Sequence, residues 1–181
     1  IGINNHEIDL VAPFIEALKC ENVKNSYRLI LYGNTISNEK WNQLGLSEIA
    51  EYRGWLDYSK DVSTLKDIDV FLQLLDDNNV SKAGWPNKLG DYLAFGKPVI
   101  LSPYGDIIDF VKNEKGFFMV EYNKYSILKN LQEIKDIPYS DLKTMGYANR
   151  QLAEKISWKN RAKNIEYICN KIRFNNETVK N

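Results

Sequence analysis

Two rhythms of apolar residues alternate along this chain, one with helical spacing and one in short runs. Asp9 to Cys20 sets Leu10, Phe14, Ile15 and Leu18 on one helical face, with Asp9 placed to cap the helix and Pro13 near its first turn. Tyr27 to Tyr32 predicts a strand closed by Gly33-Asn34, and Ile1-Gly2-Ile3 reads as the tail of an earlier one. Ile49 to Trp55, Ile68 to Leu74, Pro98 to Leu101 and Gly116 to Val120 predict further strands. Ile68–Leu74 and Pro98–Leu101 have the near-continuous hydrophobicity of strands covered on both faces. Between them, Pro86 to Gly96 reads as a helix, with Pro86 suited to its start and Gly96-Lys97-Pro98 to its stop. Strand and helix signals alternating in this way predict an α/β domain: a Rossmann-like parallel sheet with helices on both faces.

The carboxyl-terminal third changes character. Asp141 to Ile156 places Leu142, Met145, Leu152 and Ile156 on one face, and Trp158 to Ile172 does the same with Ala162, Ile165, Cys169 and Ile172. This predicts a two-helix tail broken near Ser157, whose hydroxyl is placed to cap the second helix. Residues 1–173 are thus expected to form the domain and residues 174–181, polar throughout, a frayed end.

Composition narrows the field. The 181 residues carry 24 basic and 24 acidic side chains, so the net charge is zero and the electrostatic footprint of a nucleic-acid binder is missing. No apolar run approaches the roughly 20 residues that span a bilayer. Cys20 and Cys169 match no zinc spacing and are expected to stay free thiols in a reduced, cytoplasmic domain. The single histidine, His6, rules out a multi-histidine metal site. Residue 1 is Ile rather than Met, so upstream sequence is expected and the chain reads as one half of a larger protein.

Several motifs fail on inspection. Gly90 to Lys97 is one residue too long for a phosphate-binding P-loop, and Pro98 stands where Ser or Thr would reach magnesium. Asp67-Ile68-Asp69 precedes its strand, whereas a metal-binding pair must sit at a strand's exit; Asp76-Asp77 does follow the strand and stays a weak metal candidate.

Ser81 to Pro98 carries the densest signal. Leu89 and Leu93 share the face that packs on the sheet, while Asn87 and Asp91, four apart, project from the other side. Gly84 is expected to free the backbone ahead of the helix so that its first amides meet a ligand. A helix start with Lys88 beside it and a carboxylate one turn in suits a diphosphate and hydroxyls. The plain alternative is an amphipathic crossover helix with Asn87, Lys88 and Asp91 solvated.

This segment resembles the donor-binding motif of the retaining glycosyltransferases of the GT-B superfamily (glycosyl transferases group 1 type). There, an acidic residue, seven others and a second acid straddle a helix start. The second acid falls on Asp91, a shortened version of the usual Glu, and the first falls on Ala83. The resemblance runs in order from Tyr27 to Ile172. It implies the carboxyl-terminal, donor-binding half of an enzyme whose amino-terminal domain lies elsewhere. The implied reaction moves a sugar from a nucleotide diphosphate donor to a hydroxyl, with retention and without a bound metal or other cofactor. Gly84, Trp85, Pro86, Asn87, Lys88 and Asp91 are the donor-binding residues it implies, with Asp91 on the ribose hydroxyls. Weaker candidates are Asn4 and Asn5 in the first loop, Trp55 for a nucleobase, Lys82, and Gly105 in the turn from Ser102 to Asp106. No catalytic residue is assigned. The family places an Arg and a Lys in the first loop, and Ile3 to Ile8 has neither, leaving Lys88 or Lys82 to stand in. Those losses support an alternative: a degenerate, non-catalytic module that binds or scaffolds. Localisation is expected to be cytoplasmic, with the inner membrane face reached through the missing half.

Overall fold

The computed structural model describes residues 2–3, 7–57 and 60–178. Six short parallel strands alternate with helices: β1 (Gly2–Ile3), β2 (Leu29–Gly33), β3 (Ala50–Tyr52), β4 (Phe71–Gln73), β5 (Val99–Leu101) and β6 (Phe117–Met119). The helices are α1 (Ala12–Leu18), α2 (Asn38–Gln43), α3 (Asn79–Ala83), α4 (Asn87–Ala94), α5 (Asp106–Val111), α6 (Lys124–Ile134), α7 (Tyr139–Lys155) and α8 (Trp158–Thr178). The ladders form two three-stranded groups, β1-β2-β3 and β4-β5-β6. Laid side by side with β1 next to β4, they give the doubly wound order in which the strand sequence reverses at mid-sheet.

Alternation along the strands shows why helices cover both faces. On β5, Ile100 joins the core formed with α1 and α6, whereas Val99 and Leu101 join the core formed with α4, α5 and α7. On β4, Leu72 and Phe71 divide the same way. With period-2 side chains and a layer on each face, every residue of these strands must be apolar, the pattern their sequence displays. Leu29 and Leu31 of β2 share the first core with Leu72 and Ile100, so the two ladders belong to one layered body.

Helix α4 is fixed from behind. It ends at Gly96, held at φ +67°, a left-handed conformation that favours glycine. Gly146 of α7 abuts this turn so closely that a Cβ there would lie 2.1 Å from the Gly96 carbonyl oxygen. Three residues on, Asn149 is 1% exposed, and its Nδ2 donates to the carbonyls of Lys97 (2.9 Å) and Gly116 (2.8 Å). Arg150 adds a bond from its guanidinium to the Ala94 carbonyl at the end of α4.

Several expectations need correction. The first helix begins as a 3-10 turn at Glu7–Val11, and Asp9 caps nothing; its carboxylate pairs with Lys40 of α2 at 2.5 Å. α3 was not anticipated; Asn78 starts it by accepting from the Ser81 amide at 2.8 Å. α8 continues to Thr178 rather than fraying from Phe174. Its apolar stripe (Trp158, Ile165, Ile168, Ile172) is exposed instead of packed, and Cys169 is exposed with it. The Ser157 Oγ does accept from the Asn160 amide, at 3.4 Å. No helix is long and apolar enough to cross a membrane among the described residues.

Gly146→Ala should cost about 1–3 kcal/mol by overpacking against a backbone that has no rotamer to yield, read as a lowered urea midpoint. Tyr27, whose hydroxyl donates to the Leu131 carbonyl at 2.5 Å, offers a second test. Burial, and then the Asp136 carboxylate, push its phenol up from 10.0 to about 12. The neutral phenol is therefore favoured in the folded state: its contribution is complete below pH 10 and is lost as pH rises through about 12. The stability of the Tyr27→Phe variant should fall less steeply over that alkaline range than that of the parent chain, measured by urea unfolding.

Candidate functional site

A cavity of about 230 Å3 lies between the exits of β2 and β3 and the first two turns of α4. Gly33 and Tyr32 come from the end of β2, Trp55 and Leu56 from the loop after β3, and Asn87, Lys88 and Asp91 from α4. The floor is a stacked pair, Phe71 and Tyr92, with ring centroids 4.4 Å apart and planes 4° from parallel. α4 presents this arrangement because Leu89 and Leu93, both fully buried, lock one face to the sheet. Asn87 and Asp91 therefore stay on the exposed side, and Lys88 is half-buried. The positive end of the α4 dipole opens toward the same space.

A charged brace stands behind Tyr32. Arg53 donates to Glu51 (2.8 Å), to Asp67 (2.8 Å) and to the Tyr32 hydroxyl (3.3 Å). Tyr32 in turn donates to Thr64 Oγ1 at 3.2 Å. The hydrogen bond from Arg53 holds the exposed Glu51 carboxyl below its ordinary range, and those from Glu51, Tyr32 and Asp67 hold the guanidinium charged. β2 and β3 are further tied at their exits by Gly33 N–H to the Gly54 carbonyl (2.9 Å) and by the Tyr52 hydroxyl to the Gly33 carbonyl (2.8 Å). On the neighbouring strands, the buried Ser102 hydroxyl bridges the Leu75 amide and carbonyl at 2.6 and 2.7 Å.

Of the residues singled out in the sequence, Trp55, Asn87, Lys88 and Asp91 meet around the cavity. The others do not line it. Trp85 turns to α5, where it packs edge-on against Phe110 with centroids 4.8 Å apart. Pro86 is the N-cap of α4 rather than a residue of its first turn. Gly84 has φ −101° and ψ 151°, extended backbone open to any residue, so the expected freeing of the chain is not used. Lys82 is paired with Asp77. Gly105, at φ +59°, lies under the Lys82 carbonyl, where a Cβ would come within 2.0 Å, so its glycine is set by that close approach. Asn4, Asn5 and His6 lie outside the described residues. Asp76, the weak metal candidate, accepts from Asn78 Nδ2 (2.6 Å) and Ser81 Oγ (2.8 Å). Among the described residues no three His, Cys, Asp or Glu side chains cluster as a metal site. The sequence reading missed Tyr32, Leu65, Phe71 and Tyr92; the one available signal was the strand closing at Gly33, which marks where β2 opens to a ligand-facing edge.

Comparison with known proteins adds the following. A family model described as "Glycosyl transferases group 1" matches residues 2–135. Sucrose-phosphate synthase from Thermosynechococcus elongatus is similar in structure, with a TM-score of 0.67 and 15% identity over 90% of this chain and 42% of that one. HepE from Anabaena in complex with UDP aligns at a TM-score of 0.60 and 15% identity over 79% of this chain and 40% of that one. AviGT4, a glycosyltransferase involved in avilamycin A biosynthesis, aligns at 0.52 and 16% identity over 89% of this chain and 49% of that one. The chain thus spans less than half the length of these proteins. A search of curated protein sequences gives no match.

The brace can be tested by titration. Arg53→Met keeps an unbranched apolar stem but removes the donor, so the Glu51 carboxyl should titrate higher, returning toward the ordinary carboxylate range, as followed by NMR.

Proposed function

This chain belongs to the group 1 glycosyl transferases, and from that premise we propose that it is the donor-binding half of an enzyme moving a sugar from a nucleotide diphosphate to a hydroxyl acceptor. The observation that carries the reading is the cavity that joins Trp55, Asn87, Lys88 and Asp91 at the positive end of α4. In this reading the Asp91 carboxylate accepts from the ribose hydroxyls, Trp55 and the strand exits face the base, and the diphosphate lies at the start of α4 beside Lys88. As the bond to the sugar breaks, negative charge grows on the departing diphosphate. The helix start and Lys88, already positioned, stabilise that charge. Transfer with retention and without a bound metal is part of the proposal, as are a cytoplasmic location and an amino-terminal half that supplies the acceptor side. The HepE structures in complex with UDP and with UDP-glucose support UDP and UDP-glucose as the first ligands to try.

A second reading, a module that binds without catalysing, is supported by Ala83, which stands exposed where the family carries an acid. It predicts nucleotide binding with no transfer even when the rest of the enzyme is present.

Calorimetric titration with UDP and UDP-glucose tests both. The chain alone should bind the nucleotide and transfer no sugar. Asp91→Asn should weaken binding about tenfold to a hundredfold, the equivalent of roughly 1.5–3 kcal/mol for a charged hydrogen bond. Its folding stability should stay within about 0.5 kcal/mol of the parent, since the residue is exposed. Unchanged nucleotide affinity in a destabilised variant would make Asp91 structural.

A further inference from the structure

A larger cleft, about 490 Å3, separates β2 from β4 at their amino-terminal ends. Its walls include Leu29 and Ile30 of β2, Val70 and Leu72 at β4, Leu18 of α1 and Leu131 of α6. The backbone of both strands is organised toward it. Leu29 N–H donates to the Ile49 carbonyl and the Leu31 carbonyl accepts from Arg53 N–H, so β2 gives these residues to β3. Ile30, between them, turns its N–H and C=O the other way, into the cleft. On the opposite wall, Phe71 N–H donates to the Pro98 carbonyl and the Gln73 carbonyl accepts from Ser102 N–H, both on the β5 side. Val70 and Leu72 accordingly turn their backbone groups to the cleft. Two strand edges thus face each other across an apolar gap, a geometry that leaves hydrogen-bonding groups without partners unless a strand fills it.

The upper end of the gap is already filled. β1 pairs in parallel with β2, Gly2 opposite Tyr32 and Ile3 opposite Gly33. Carried backwards in the same register, the position before residue 1 falls opposite Ile30, and the position two earlier falls opposite Arg28. We propose that this cleft is a strand slot whose occupant is the protein's own backbone continuing β1 amino-terminal to residue 1. In the slot that segment pairs with β2 on one side and β4 on the other, and it joins the two ladders into one six-stranded sheet. Its composition follows from its place. Leu18 and Leu131 wall one face, Leu65 and Leu142 wall the other, and a strand between two apolar layers must itself be apolar at successive positions. At about 3.3 Å per residue, four residues cover the walls from Ile30 past Arg28. The proposal does not depend on the assignment of a sugar donor.

Hydrogen exchange on two extended chains tests it. One carries Lys-Gly-Val-Ile-Val-Val ahead of Ile1 and the other Lys-Gly-Ser-Gly-Ser-Gly, each leaving residues 1–181 intact. With the apolar extension, the amides of Ile30 and Leu72 should exchange at least tenfold more slowly than with the Gly-Ser extension, and the thermal midpoint should rise. Equal exchange at both amides in the two chains would overturn the proposal. So would full protection of Ile30 and Leu72 already present in the Gly-Ser chain, because the edges would then have another partner.

Discussion

The contact between α4 and α7 is the constraint on which the ligand-facing end of this domain depends. Gly146 meets the Gly96 carbonyl with no room for a methyl group, and Asn149 and Arg150 close the same joint with hydrogen bonds to Lys97, Gly116 and Ala94. Close-packed backbone cannot deform gradually, so the joint sets one position for the end of α4. The buried pair Leu89 and Leu93 then sets its rotation. Once both are fixed, Asn87 and Asp91 have no choice of direction. The site is thereby an outcome of packing at the far end of its own helix.

Electrostatics at this end of the sheet consists largely of partnered charges. Lys40 is held by Asp9, Lys82 by Asp77, and Arg53 by Glu51 and Asp67. Each of these cations steadies a loop or a strand exit. The charge that a phosphate group would meet at the cavity therefore comes from the α4 dipole and from Lys88, a weaker set than a pair of loop guanidinium and ammonium groups would be. Such a site favours a ligand whose affinity is shared among the base, the sugar hydroxyls and the phosphates.

Much of this architecture could be read from the order of residues. β4 and β5 announced themselves because burial on both faces demands unbroken apolar runs, and α4 because Pro86, Gly96 and Pro98 bracket it. Trp55, Asn87, Lys88 and Asp91 were legible because a helix start and a strand exit are local features. What escaped depends on distant partners. Asp9 looks like a cap by position but is claimed by Lys40, and Trp85 is turned aside by Phe110. The Phe71–Tyr92 floor and the Arg53–Asp67 brace join residues 21 and 14 positions apart, with no short-range signal. α3 is five residues started by a single Asn side chain, too short to carry a period of its own.

The α4–α7 joint also bears on how such domains diversify. The match to the family model ends at residue 135, yet Gly146, Asn149 and Arg150 lie beyond it. A chimera that exchanged residues 2–135 for those of a relative would separate α4 from the surface that seats it. Helices α4 and α7 form one heritable unit split in sequence by α5, β6 and α6. Productive recombination between relatives should therefore keep both from the same parent, with breakpoints ahead of α4 or within the span that follows α7.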